Sequence, residues 1–217
     1  MCSCAAAPCA PATTATRTAT TWRTRDCMRI TILHCLFAVL CVVSSASGQD
    51  AAPCGEPFAP RCWHFEVQTH AALEGWNYNA SHEELYGLEE GITFGLSDGW
   101  VLTASQRVYY VSQRANDSWA LGLTAGIRRR VYRHARTTAY VEAAVGVSDA
   151  AIAAPPRGTR FNYLAVAGGG VLVRARPRVD VVIGLQWVHL SNASLKGPNR
   201  NPDIEAIGPS LGLLLRF

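Results

Sequence analysis

His189 and Ser191 stand two residues apart in the run Trp187-Val188-His189-Leu190-Ser191, and Glu205 follows beyond a turn rich in Gly, Pro and Asn. On a strand, positions i and i+2 share a face, so an imidazole and a hydroxyl come to lie side by side. A second strand after the turn can set the carboxylate against the same imidazole. A base, a nucleophile and an orienting carboxylate then meet across one hairpin, which is what acyl transfer to a serine hydroxyl requires.

The neighbouring side chains say which surface these three occupy. Val179, Val181, Ile183, Leu185 and Trp187 share the parity of His189 and Ser191, with Asp180, Gly184 and Gln186 on the other. Ile207, Leu211, Leu213, Leu215 and Phe217 share the parity of Glu205, opposite Gly208, Ser210, Gly212 and Arg216. All three reactive groups therefore belong to the apolar face. In a soluble barrel or sandwich that face is the packed core, where an ionised Glu is costly. In a membrane barrel it is the lipid-facing exterior.

The rest of the chain decides between these. Residues 1–27 are rich in Ala, Thr and Arg without helical or strand period, and read as a disordered extension or an over-called start. From Met28 the pattern changes: Arg29 supplies a basic start, Ile30 to Val43 an apolar run, and Ala46-Ser47-Gly48 a small-residue end. Residues 28–48 thus read as a secretory signal peptide, too short and wrongly flanked for a spanning helix, with the exported protein starting at Gln49. Leu40 precedes Cys41 where a lipoprotein would carry a small residue, which argues against lipid anchoring.

Segment 49–62 keeps Cys54 and Cys62 of the eight cysteines. An isolated pair in an oxidising compartment favours a disulfide ahead of the first strand, free thiols being the alternative. Two cysteines without a paired His fall short of a four-ligand metal site. Arg17, Arg23, Arg25 and Arg29 against Asp26 put +3 of the formal +4 charge into the first 48 residues, so no basic patch points to nucleic acid.

From Trp63 to Phe217 the chain falls into period-two runs. Trp63, Phe65 and Val67 alternate with His64, Glu66 and Gln68; similar runs cover Tyr86 to Leu96, Trp100 to Tyr110, Trp119 to Arg128 and Tyr140 to Ser148. Phe161 to Val173 alternates less cleanly, loosened by Gly168-Gly169-Gly170. With the last hairpin the count is about eight strands of roughly ten residues, and no amphipathic helix of useful length intervenes. The expected fold is all-β: a single antiparallel transmembrane β-barrel of about eight strands over 63–217, preceded by a signal peptide. A polar parity mixing Gly, Thr and Ser with Arg and Glu suits the side-chain-filled interior of a small barrel. A lipocalin-like soluble barrel would instead crowd His189, Ser191 and Glu205 into its ligand cavity.

Other motifs have plainer readings. Gly95-Leu96-Ser97-Asp98-Gly99 matches a nucleophile elbow, but that motif needs a following helix and here Trp100 opens another strand, so it reads as a hairpin turn. His64 and His70 lie on the inward parity and read as interior polar residues. Asn79-Ala80-Ser81, Asn116-Asp117-Ser118 and Asn192-Ala193-Ser194 match glycosylation sequons that would carry no glycan in a bacterial outer membrane.

His189-Leu190-Ser191-Asn192-Ala193-Ser194-Leu195-Lys196, then Pro198-Asn199 and Asp203-Ile204-Glu205 before a short final strand, resembles the signature of the PagL-type lipid A 3-O-deacylases, outer-membrane barrels. The motif spans the last hairpin, and the strand count extends the likeness over most of 63–217. The resemblance implies Ser191 as nucleophile, His189 as base, Glu205 as its orienting partner, and Asn192 with Ser194 in the oxyanion region. Ser194 stands where glycine is expected, and the loop before Glu205 is slightly longer than the family pattern.

The resemblance further implies an esterase in the bacterial outer membrane acting on lipid A of lipopolysaccharide, with no cofactor and no metal. The terminal Phe217 resembles the signal read by the outer-membrane assembly machinery. The oligomeric state stays open, a homodimer being one option. Two rival functions are a phospholipase, which the same triad could serve, and a non-enzymatic structural or adhesion barrel, which has no need of the triad.

Overall fold

A computed structural model describes residues 54–75, 83–114, 116–197, 199 and 201–217. The expected extension over 1–27, the signal peptide over 28–48, the Gln49 start, the Asn79-Ala80-Ser81 sequon and Pro198 lie outside the described residues.

Eight strands follow one another: β1 (Trp63–Glu74), β2 (Glu84–Ser97), β3 (Trp100–Ser112), β4 (Ser118–His134), β5 (Thr137–Ala150), β6 (Phe161–Arg176), β7 (Val179–Ser191) and β8 (Ile204–Arg216). Each is antiparallel to the next, and β8 pairs with β1, from His64 opposite Arg216 to Glu74 opposite Ala206, to close a barrel. The antiparallel barrel expected from the alternation is what forms. Closure leaves no unpaired strand edge, the condition for a sheet to sit in hydrocarbon.

The two ends differ. Strands β2 and β3, β4 and β5, and β6 and β7 are joined by two-residue turns, whereas the connections at the other end run over 75–83, 113–117, 151–160 and 192–203. Bacterial barrels place short turns in the periplasm and long loops outside. Gly95 to Gly99 forms one of the short turns, Ser97 pairing with Trp100 and Gly99 adopting φ +77°, so the elbow-like motif is a hairpin. Several strands outrun their clear sequence period, β1 by continuing past Gln68 to Glu74 and β4 by passing a bulge at Arg130/Tyr132 to reach His134.

Outward positions are mostly apolar, from Leu88 and Leu123 to Val145 and Leu211, with Glu90 and Gln106 as a polar pair in which the Gln106 amide donates to the Glu90 carboxylate at 3.0 Å. Aromatic residues ring both ends, with Trp63 and Trp100 near the short turns and Tyr86, Trp119, Phe161 and Tyr163 near the long loops, as interfacial girdles do.

The interior is layered. Toward the long loops an apolar cluster includes Leu85, Tyr109, Leu164, Val188, Leu190 and Ile204. Toward the short turns a second contains Phe58, Val101, Tyr140, Leu172, Val182 and Leu214. Between them Arg128 reaches Glu66 (2.7 Å) and Glu142 (2.7 Å), and Arg107 reaches Glu89 (2.8 Å). The parity pattern expects an interior mixing Gly, Thr and Ser with Arg and Glu; the apolar layers add to it. Tilted strands cross all three layers, so β7 contributes Val182 and Val188 inward as well as Asp180 and Gln186.

The glycine run of β6 does not interrupt it. A Cβ on Gly170 would come within 3.0 Å of the Tyr140 hydroxyl, and one on Gly168 within 3.3 Å of the Gln186 side chain. Glycine there makes room for the groups that surround the ion pairs.

Cys54 and Cys62 are joined by a disulfide. The loop between them lies across the short-turn end of the barrel, with Phe58 buried in the lower apolar cluster. Arg174 and Arg216 donate to the Gly55 carbonyl, and Glu56 pairs with Arg133 at 2.7 Å. Gly95 permits this approach, because a Cβ there would lie 1.9 Å from the Ala59 carbonyl oxygen.

Candidate active site

The β7–β8 hairpin sets the reactive groups by register. His189 is opposite Glu205 on β8 and opposite Ala165 on β6, and Ser191 is opposite Tyr163. Cross-strand partners have neighbouring Cβ atoms, so the ladder alone carries the carboxylate to the imidazole. His189 Nε2 lies 3.0 Å from Ser191 Oγ, and His189 Nδ1 lies 3.4 Å from Glu205 Oε1. The three predicted residues meet on the outer surface, at the end of the barrel with the long loops.

Their surroundings restrain the imidazole. Trp187, one outward position earlier on β7, stacks beside it with ring centroids 5.7 Å apart and planes 19° apart. The His189 and Glu205 side chains are 25% and 28% exposed, largely covered but still open on the lipid side. The Glu205 carbonyl accepts the Gly75 N–H at 2.9 Å, which ties the start of β8 to the end of β1.

The oxyanion candidates separate. Asn192 is 1% exposed and continues the inward parity of β7, so its side chain is not on the face that carries Ser191. Its backbone N–H donates to Asn201 Oδ1 at 2.9 Å. Ala193 and Ser194 follow in left-handed backbone, φ 50° and 61°. Ser194 therefore adopts the conformation that glycine would favour at that position. The loop's own hydrogen bonds use the Leu195 N–H, to the Asn192 carbonyl, and the Gly197 N–H, to the Ser194 carbonyl. The amides of Ala193 and Ser194 are not engaged in these bonds.

Sequence reasoning passed over two residues here. Asn201 holds the loop through Asn192, and its only signal was its place in an Asn-rich turn. Asp203 brings a carboxylate into the group formed by His189 and Glu205, with one ligand-type atom from each of the three within 4.8 Å of the others. His64 and His70 are interior, as their parity predicts: His64 Nδ1 is 3.2 Å from Thr93 Oγ1, and His70 stacks against Tyr109.

The arrangement can do nucleophilic acyl chemistry on a substrate that approaches from the outer leaflet. A serine with an imidazole at hydrogen-bond distance, backed by a carboxylate, is equipped to attack an ester carbonyl.

A model of the PagL family, described as lipid A 3-O-deacylase, matches residues 57–213. No curated protein matches the chain by sequence. Among solved structures, neisserial surface protein A superposes with a TM-score of 0.57 at 12% identity, covering 71% of this chain and 97% of that one. The outer membrane enzyme PagL superposes with a TM-score of 0.49 at 17% identity, covering 70% of this chain and 99% of that one.

Proposed function

The chain belongs to the PagL family of lipid A 3-O-deacylases, bacterial outer-membrane barrels, and from that premise we propose that it hydrolyses the ester-linked acyl chain at the 3-position of lipid A. The observation that carries the reading is the 3.0 Å approach of His189 Nε2 to Ser191 Oγ on the lipid-facing surface. Ionisable groups on a surface that meets hydrocarbon are expensive and are kept for function.

In this mechanism Ser191 Oγ attacks the ester carbonyl while His189 Nε2 accepts its proton. The amides of Ala193 and Ser194 are our choice of donors to the oxyanion, since the Asn192 N–H is held by Asn201. Collapse of the tetrahedral intermediate expels the sugar 3-hydroxyl, which takes the proton from His189. Water, deprotonated by the same imidazole, then attacks the acyl-serine ester and releases the fatty acid. Glu205 fixes the ring and stabilises the imidazolium in both halves.

An exterior site suits a substrate that is itself part of the membrane. Lipid A occupies the outer leaflet, level with the long-loop end, and its ester can slide against β7 and β8 without leaving the bilayer. Mass spectrometry of lipid A and phospholipids from cells with and without the gene tests the reading. Loss of one 3-hydroxyacyl group from lipid A is expected; cleavage confined to phospholipid would assign a phospholipase, and no change in either would leave a non-catalytic barrel.

A further inference from the structure

The corner formed by His189, Asp203 and Glu205 has a second chemical capacity that the hydrolytic mechanism does not use. One ligand-type atom from each lies within 4.8 Å of the other two, and His189 Nδ1 and Glu205 Oε1 are 3.4 Å apart. That separation is long for an N–H···O hydrogen bond, whose common length is about 2.9–3.0 Å. It matches the edge of a tetrahedron around zinc: with metal–ligand bonds of about 2.0–2.1 Å, neighbouring donor atoms stand about 3.3–3.4 Å apart. His189 Nδ1 also makes no hydrogen bond with the described residues.

We propose that His189, Asp203 and Glu205 form a binding site for a zinc-class divalent cation, and that its occupation silences the hydrolase. One imidazole nitrogen and two carboxylates suit zinc, copper or nickel; calcium, which takes six to eight oxygen ligands, is poorly served. Three protein ligands leave a fourth position for water. All three side chains are half-buried, so the metal reaches them from the extracellular end without unfolding the barrel.

The inhibitory consequence follows from the ring. Coordination through Nδ1 requires that nitrogen's lone pair, which leaves the imidazole proton on Nε2, the nitrogen 3.0 Å from Ser191 Oγ. A protonated Nε2 cannot accept the serine proton. Glu205 is at the same time withdrawn from the imidazole to the metal. This second half of the proposal rests on the Ser191–His189–Glu205 reading, whereas the binding half does not.

Calorimetry on the tag-free, folded protein in detergent, titrated with zinc chloride and separately with calcium chloride, tests the site. Expected are saturable one-to-one zinc binding, no comparable calcium binding, at least tenfold weaker zinc binding in Asp203→Asn, and parent-like binding in Ser191→Ala. In a deacylation assay, zinc should abolish parent activity reversibly, with recovery on adding a chelator, while Asp203→Asn, compared with its own metal-free rate, resists inhibition. Absence of saturable binding, or equal binding by Asp203→Asn shown to be folded, would overturn the site. Saturable binding with undiminished deacylation would overturn the inhibitory half and the role of His189 as base, and leave the site standing.

Discussion

His189 and Glu205 face each other directly across the β7–β8 ladder, yet His189 Nδ1 and Glu205 Oε1 are 3.4 Å apart, while His189 Nε2 is 3.0 Å from Ser191 Oγ. The imidazole is thus held more closely to the nucleophile than to its carboxylate. Ser191→Ala should abolish deacylation and leave a folded, heat-modifiable barrel, because only a surface hydroxyl is removed. His189→Ala should cost as much, on the order of 10³-fold or more in kcat/KM, since the serine loses its base. Glu205→Ala should retain at least about tenfold more activity than either, because Trp187 still steadies the ring. Rates on purified lipid A check the order. Parent-like turnover by folded Ser191→Ala would remove Ser191 from the mechanism.

Ser194→Gly should stabilise the 192–203 loop and preserve activity. A non-glycine residue in left-handed backbone costs about 1 kcal/mol, and glycine removes that cost. Ser194→Val should do the opposite, since a β-branched side chain tolerates positive φ poorly. Protease sensitivity of the loop and kcat measured together check this pair. A large loss of kcat in Ser194→Gly would assign the hydroxyl a role in the reaction.

Arg128→Met should be among the most damaging interior changes. It leaves Glu66 and Glu142 buried without their shared cation and removes the guanidinium that lies 4.2 Å over the Tyr140 ring. Breaking a buried charge network in this way costs about 3–5 kcal/mol. Urea unfolding in detergent should show a lower midpoint, with partial recovery when Glu66→Gln and Glu142→Gln are added. An unchanged midpoint would mean the network contributes little.

Much of the fold is legible because a membrane barrel writes its period into the sequence: outward positions are mostly apolar along the strands, and the last two strands bring His189, Ser191 and Glu205 to one face by parity alone. What parity does not carry is depth. Val188 and Glu142 are both inward residues, and only the tilt and stagger of the closed sheet put one in an apolar layer and the other in the charged one. The loop was legible in composition but not in path. Asn192 turns inward by continuing the parity of β7, but that Asn201 comes back to hold it depends on two successive left-handed residues, Ala193 and Ser194.

Reducing Cys54–Cys62 should loosen the segment that covers the short-turn end without opening the barrel. A loop of this size gains roughly 2–3 kcal/mol from its cross-link in the chain-entropy description. Arg61 is exposed within it, with φ 60°. Trypsin should cut after Arg61 much faster in the reduced protein than in the oxidised one, while heat-modifiability persists. Equal cleavage in both states would show that Phe58 and the Gly55 contacts hold the segment unaided.

Deleting Phe217 should lower the yield of folded barrel in the outer membrane and leave the specific activity of what does fold unchanged. The residue lies just beyond β8 on the outward parity, at the opposite end from Glu205. Quantifying heat-modifiable protein in outer-membrane fractions, with activity per folded molecule, separates the two effects. Equal membrane yield with and without Phe217 would dismiss it as an assembly determinant.

The two apolar layers that enclose the Arg128 and Arg107 ion pairs give the barrel an electrical property. Ions crossing the interior would have to displace Leu164 and Val188 at one end and Phe58 and Leu214 at the other, with paired charges held between. Side chains, not an open channel, occupy the axis of such a barrel. Copies of such a barrel therefore add no open channel to the outer membrane they sit in.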